Sequence, residues 1–132
     1  MKDTENLFGP VVSIYTREDA ITDGVLKDVT ETAKEAGFKV PVAVTNAAWA
    51  GIITPDERAR KHGQSTEGRL WDALYMLYVA IRNTPRGTTN TIYYKFIAIM
   101  KERQRREITL KAHCGPGDHG EPVITIMLPN ES

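Results

Sequence analysis

The sequence predicts an α+β domain, with several short helices and one long amphipathic helix packed on a C-terminal antiparallel sheet of three or four strands. Three observations carry that expectation. Leu70, Leu74, Leu77, Tyr78 and Ile81 recur at spacings of three and four, the period of a helix with one apolar face. After residue 90 the apolar period drops to two, as a strand requires. The connections at 102–105 and 114–121 are short, which favours a meander with the long helix laid across it.

Taken in chain order, Val11 to Tyr15 is a β-favouring run behind Gly9-Pro10 and reads as a strand, a fourth member of the sheet if it joins it. Thr16 caps a short helix over Arg17 to Thr22, with Glu18 and Asp19 near its positive end. Asp23-Gly24 ends that unit, and a brief extended piece follows. A helix from Glu31 to Ala36 stops at Gly37, a residue suited to the left-handed position after a helix. Lys39 to Val44 contains Pro41, so it is expected as an edge strand or an extended connector. Thr45 caps a short helix, Asn46 to Ile52, that buries Trp49.

In Thr54-Pro55-Asp56-Glu57, Thr54 fits the N-cap, Pro55 the first helical position and Glu57 the return contact of a capping box. That helix stops near Gly63, and the long helix runs from Ser65 or Thr66 to about Asn83. Ile92 to Lys101 carries apolar residues on both faces, so it is expected as a central strand covered on both sides. Ile108, Leu110 and Ala112 alternate with polar residues, and Val123 to Leu128 is nearly all apolar; both read as strands.

Composition narrows the class. The chain has 132 residues, 41% apolar and 26% charged, with 17 basic against 17 acidic side chains. That balance excludes a disordered chain and argues against a polybasic phosphate binder. No apolar run reaches membrane-spanning length, and MKDTENLFGP holds no apolar leader, so a cytoplasmic protein without membrane contact is expected. The single cysteine, Cys114, excludes an intrachain disulfide and a Cys-pair zinc motif. Charge is nonetheless uneven. Residues 1–37 hold eight acids and four bases, residues 38–111 thirteen bases and six acids, and residues 112–132 three acids and no base. Such a distribution can orient a charged partner.

Four groups of residues are candidates for chemistry or binding. Lys101, Arg103, Arg105 and Arg106 crowd a predicted hairpin tip, where cationic side chains can reach phosphates; the alternative is a sheet edge kept soluble by charge. Arg69, Trp71 and Asp72 lie on the long helix, with Arg69 and Asp72 spaced to pair. His113, Cys114, Asp118 and His119 are acceptable metal ligands, and Cys114 with His119 sketches a nucleophile and base. The intervening Gly115-Pro116-Gly117 is, however, what a tight turn demands, and no zinc spacing is matched. Asp23, Asp28, Glu31 and Glu35 read as a solvated face. No phosphate loop or nucleophile elbow occurs.

Several phrases together carry a resemblance. They are Leu7-Phe8-Gly9-Pro10-Val11-Val12-Ser13-Ile14-Tyr15-Thr16-Arg17, Asp23-Gly24-Val25-Leu26-Lys27-Asp28-Val29-Thr30, Ala33-Lys34-Glu35-Ala36-Gly37-Phe38, Gly68-Arg69-Leu70-Trp71-Asp72, and Gly115-Pro116-Gly117-Asp118 through Glu121-Pro122-Val123-Ile124-Thr125-Ile126-Met127-Leu128-Pro129. The chain resembles a family of small bacterial proteins of unknown function often found on phages, prophages and plasmids. That resemblance transfers no catalytic residue and implies an accessory factor that binds macromolecules. The expected function is therefore a non-catalytic binding module without a cofactor, with a protein partner. A nucleic acid held by the 101–106 tip and a homodimer through a sheet edge are further readings of the partner. The rival from another class is a small metal- or Cys-dependent enzyme using the 113–119 loop.

Overall fold

The computed structural model describes residues 14–61, 63–87, 89–99 and 105–132. Five strands, β1 (Leu26–Asp28), β2 (Val42–Thr45), β3 (Thr91–Ile99), β4 (Arg105–Pro116) and β5 (Pro122–Met127), form one mixed sheet in the order β1-β2-β5-β4-β3. β2 and β5 run parallel and every other neighbouring pair is antiparallel. The helices are α1 (Arg17–Thr22), α2 (Thr30–Ala36), α3 (Asn46–Ala48), α4 (Glu57–Lys61) and α5 (Thr66–Arg82); a π-helical turn, Trp49–Ile53, continues α3. The class is α+β, as the periodicities predict, and the sheet has five strands rather than three or four. No helix among the described residues is long and apolar enough to cross a membrane.

The local signals act as expected at most helix ends. Six-residue α1 forms because each of its first four amides has an acceptor. Arg17 and Glu18 donate to the Asp118 carboxylate, Asp19 to Thr16 Oγ1 and Ala20 to the Thr16 carbonyl. Ser65 Oγ accepts from Gly68 N at 3.0 Å and opens α5, while Thr45 Oγ1 accepts from Ala48 N at 3.2 Å and opens α3. At α4 the expectation needs correcting. Asp56 Oδ1, not the Thr54 hydroxyl, accepts from Ala59 N at 2.8 Å, so the cap lies two residues later. The Thr54 amide instead closes the π turn on the Trp49 carbonyl at 2.9 Å.

The core forms where the apolar stripe of α5 meets one face of the sheet. Leu70, Ala73, Leu74 and Leu77 bury against a cluster that includes Val42, Val44, Tyr94, Phe96, Leu110, Ile124 and Ile126. The Tyr94 hydroxyl is buried there without a hydrogen-bond partner, and burial pushes its pKa far above 10.0. On the opposite face Ala43, Val123 and Met127 are buried too. α1 reaches that face, where Arg17 donates to Thr125 Oγ1 at 2.7 Å and to the Ile124 carbonyl at 2.8 Å. Burial lowers the Arg17 pKa.

Two strand placements reverse the expectations. β2 is internal, not an edge or connector, because Pro41 stands just before it; there only its carbonyl is needed, and it accepts from Ile124 N at 2.9 Å. β3 lies at the edge, not the centre. Its Tyr94, Phe96 and Ala98 are buried, but Tyr93 and Ile97 on the other face are exposed. Of the expected strand Val11 to Tyr15, Val11 to Ser13 lie outside the described residues, and Ile14 and Tyr15 belong to no strand.

Candidate functional site

The open side of β3 is the most conspicuous surface feature. Cys114 N donates to the Asn90 carbonyl at 2.8 Å, which makes 90 and 114 a hydrogen-bonded pair at the end of the β3–β4 ladder. Such pairs alternate in an antiparallel ladder. Ile92, Tyr94, Phe96 and Ala98 therefore bond to β4, and Thr91, Tyr93, Lys95 and Ile97 turn their N–H and C=O groups to the open side. Thr91 is closed off locally: Thr89 Oγ1 donates to its carbonyl at 3.0 Å and accepts from its amide at 3.1 Å. Tyr93, Lys95 and Ile97 have no such cover among the described residues.

The same three residues carry exposed side chains. Tyr93 is 60% and Ile97 58% exposed. Lys95 lies between them and pairs with Glu107 at 3.4 Å, and the Lys111 ammonium sits 5.9 Å from the Tyr93 ring centre. Where α5 passes over this edge there is a groove of about 380 Å³, lined by Asp72, Tyr75, Met76, Lys95, Phe96, Ile97 and Glu107. Its helical wall adds Tyr75, half exposed, and Met76. Burial raises the Asp72 pKa from 3.8. The surface thus combines the exposed Tyr93, Ile97, Tyr75 and Met76 with open backbone groups, and its charged residues include the Lys95–Glu107 pair and Asp72.

The residues singled out in the sequence fall elsewhere or apart. Lys101 and Arg103 lie outside the described residues. Arg105 and Arg106 are exposed at the start of β4, opposite Ile99 and Ala98. Arg69, Trp71 and Asp72 separate around α5. Arg69 turns inward, Trp71 faces a depression with Thr32 and Glu35 of α2, and only Asp72 reaches the β3 groove.

His113 and Cys114 belong to β4 rather than to a loop, and His113 Nδ1 lies 3.2 Å from Thr91 Oγ1. Among the described residues no group of three or more His, Cys, Asp or Glu side chains could hold a metal ion. In the sequence Tyr93 and Lys95 share one face of this strand and could extend the surface of the basic tip, but apolar residues on both faces predict a covered central strand, so the open edge itself is not legible there.

Asp118 has a structural employment. Its two carboxylate oxygens accept from the amides of Arg17 at 2.8 Å and Glu18 at 3.0 Å, so the β4–β5 turn clamps the start of α1 across a hundred residues. These backbone bonds hold its pKa below 3.8. A carboxylate with a depressed native pKa contributes stability that is fully present above its unfolded value and lost as pH falls through the native one. Asp118→Asn is accordingly expected to lower the melting temperature at pH 7. The gap to the unsubstituted protein should begin to close as pH falls past the unfolded carboxyl value near 3.9 and go on closing through the lower native value, so it should be smaller at about pH 3 than at about pH 5. Thermal melts by circular dichroism at those pH values check it, and a gap that stays constant contradicts it.

No curated protein and no solved structure matches the chain. Residues 5–132 match DUF6573, a family of unknown function, and the chain belongs to that family.

Proposed function

We propose that this protein is a non-catalytic binding module that engages a protein partner through the β3 edge and the adjoining crest of α5. The observation that carries the reading is the exposure of Tyr93 and Ile97 on the strand whose backbone groups are open. An extended segment laid along such an edge gains main-chain hydrogen bonds, and alternate side chains provide selectivity. A group of exposed apolar side chains of this kind is a marker of an interaction surface rather than of ordinary solvent-facing protein. The resemblance to proteins carried by phages, prophages and plasmids agrees with an accessory role of this sort.

A photo-crosslinking side chain placed at Ile97 tests the reading in a lysate of the source cells. The expected result is a crosslinked protein product that survives nuclease, with none from the same probe at Lys34, an exposed position on α2. Products formed equally from both positions, or none from Ile97, overturn it. Nucleic acid captured instead, and lost in Arg105→Ala/Arg106→Ala, replaces it with the phosphate-binding reading of the basic hairpin.

A further inference from the structure

We propose that the occupant of the β3 edge is a second copy of this chain, paired antiparallel about a twofold axis so that two five-stranded sheets join into one. The inference rests on the reading of this edge as the binding surface and names what covers it.

The two edges of the sheet differ in a way that matters for self-association. β1 has only three residues, and its Lys27 and Asp28 are exposed and charged, which is how an edge is guarded against further pairing. β3 has nine residues, and on its outer face the exposed Tyr93 and Ile97 flank one lysine, Lys95, that is paired with Glu107. Like-with-like pairing through β3 uses up the open edge of both copies and leaves only guarded edges. It therefore closes as a dimer instead of growing into a fibre.

The edge is also complementary to itself. Outward-facing residues pair with outward-facing residues, so a ladder centred on Lys95 sets Tyr93 opposite the partner's Ile97, and Ile97 opposite the partner's Tyr93. Aromatic against β-branched is a favourable cross-strand match. A lysine opposite its own copy would ordinarily oppose such a ladder. Here Lys95 is bound to Glu107 at 3.4 Å, so two neutral couples meet at the axis instead of two bare charges. The chain as a whole has 17 basic and 17 acidic side chains, so two copies do not repel at long range. Because α5 lies on one face of the sheet, the twofold sets both copies of α5 on the same face and closes the grooves over Tyr75 and Met76.

Sedimentation equilibrium of the full chain at about 100 µM, above the dissociation constant of a weak specific dimer, reads the outcome. The expected mass is twice 14.8 kDa. Two variants locate the contact. Lys95→Pro removes an amide hydrogen that points to the open side, so it breaks the dimer ladder without removing a bond to β4. Ile97→Arg puts a free charge on the same strip and leaves the backbone unchanged. Each should sediment as a 14.8 kDa monomer with an unaltered far-ultraviolet spectrum. A monomeric unsubstituted chain overturns the proposal, as does a dimer that both variants leave intact. If the chain is monomeric while the Ile97 probe still traps another protein, the second copy is wrong and the binding surface stands; if the probe traps nothing, both fall.

Discussion

Replacing Arg69 with methionine is expected to lower the unfolding free energy by about 2 kcal/mol, the cost of leaving two part-buried acceptors without their charged donor. Arg69 is only 3% exposed although it lies in the first turn of a helix. Its Nη1 donates to the Ile52 carbonyl at 2.9 Å and its Nε to Gln64 Oε1 at 3.2 Å. Ile52 belongs to the π turn, whose last carbonyls have no donor in their own helix. The guanidinium thus closes the end of one irregular element and fixes the segment between α4 and α5. Burial lowers its pKa, opposed by the nearby charge of Asp56, and it remains cationic at neutral pH.

Methionine keeps most of the apolar stem, so the loss reports the hydrogen bonds more than the packing. Arg69→Lys retains the charge but not the planar fork, and should recover less than half of the loss. Urea unfolding midpoints at constant slope measure all three proteins. A methionine variant within about 0.5 kcal/mol of the unsubstituted protein, the range of ordinary surface changes, would mean that the fork is not holding the turn.

Arg69 also shows what the sequence makes legible. Its place among the notable residues follows from Gly68-Arg69-Leu70-Trp71-Asp72, but its spacing from Asp72 suggested a surface pair, and the side chain instead runs inward to a carbonyl seventeen residues earlier. The elements read correctly are those fixed within a few residues: the Thr16 cap, the stop at Gly37, the Ser65 cap and the stripe of α5 from Leu70 to Tyr78, beyond which Ile81 is exposed. Misplaced features depend on distant neighbours. Nothing near Pro41 reveals that β2 will be flanked by β1 and β5, the latter some eighty residues later. Tyr93 and Ile97 would suit a strand covered on both faces equally well. Only the order of the whole sheet leaves them outside, and that is why the proposed interaction surface emerges from the fold and not from a motif. Asp118 is a similar case: its local setting is a turn, and its partners are the first amides of a helix at the other end of the chain.

Gly37→Ala is expected to cost about 2–3 kcal/mol, combining a left-handed backbone with a steric conflict. Gly37 ends α2 at φ 110°, a conformation in which an L side chain crowds its own carbonyl, for about 1–2 kcal/mol. The added methyl would also lie 3.0 Å from Tyr78 Cε1. That ring has little freedom to yield, since it meets Phe38 edge-on at 5.9 Å and holds the Arg82 guanidinium 5.7 Å from its centre. Gly24 separates the two effects. Its φ is 79°, yet a methyl there would meet nothing within 4 Å, so Gly24→Ala should show the backbone cost alone, about 1 kcal/mol. Chemical denaturation of both variants, and of Gly37→Ala combined with Tyr78→Ala, gives the comparison. If the tyrosine is what the methyl strikes, removing the ring should bring the Gly37 cost down to that at Gly24. An undiminished cost in the double variant would place the whole effect in the backbone, with the close approach of Tyr78 contributing nothing.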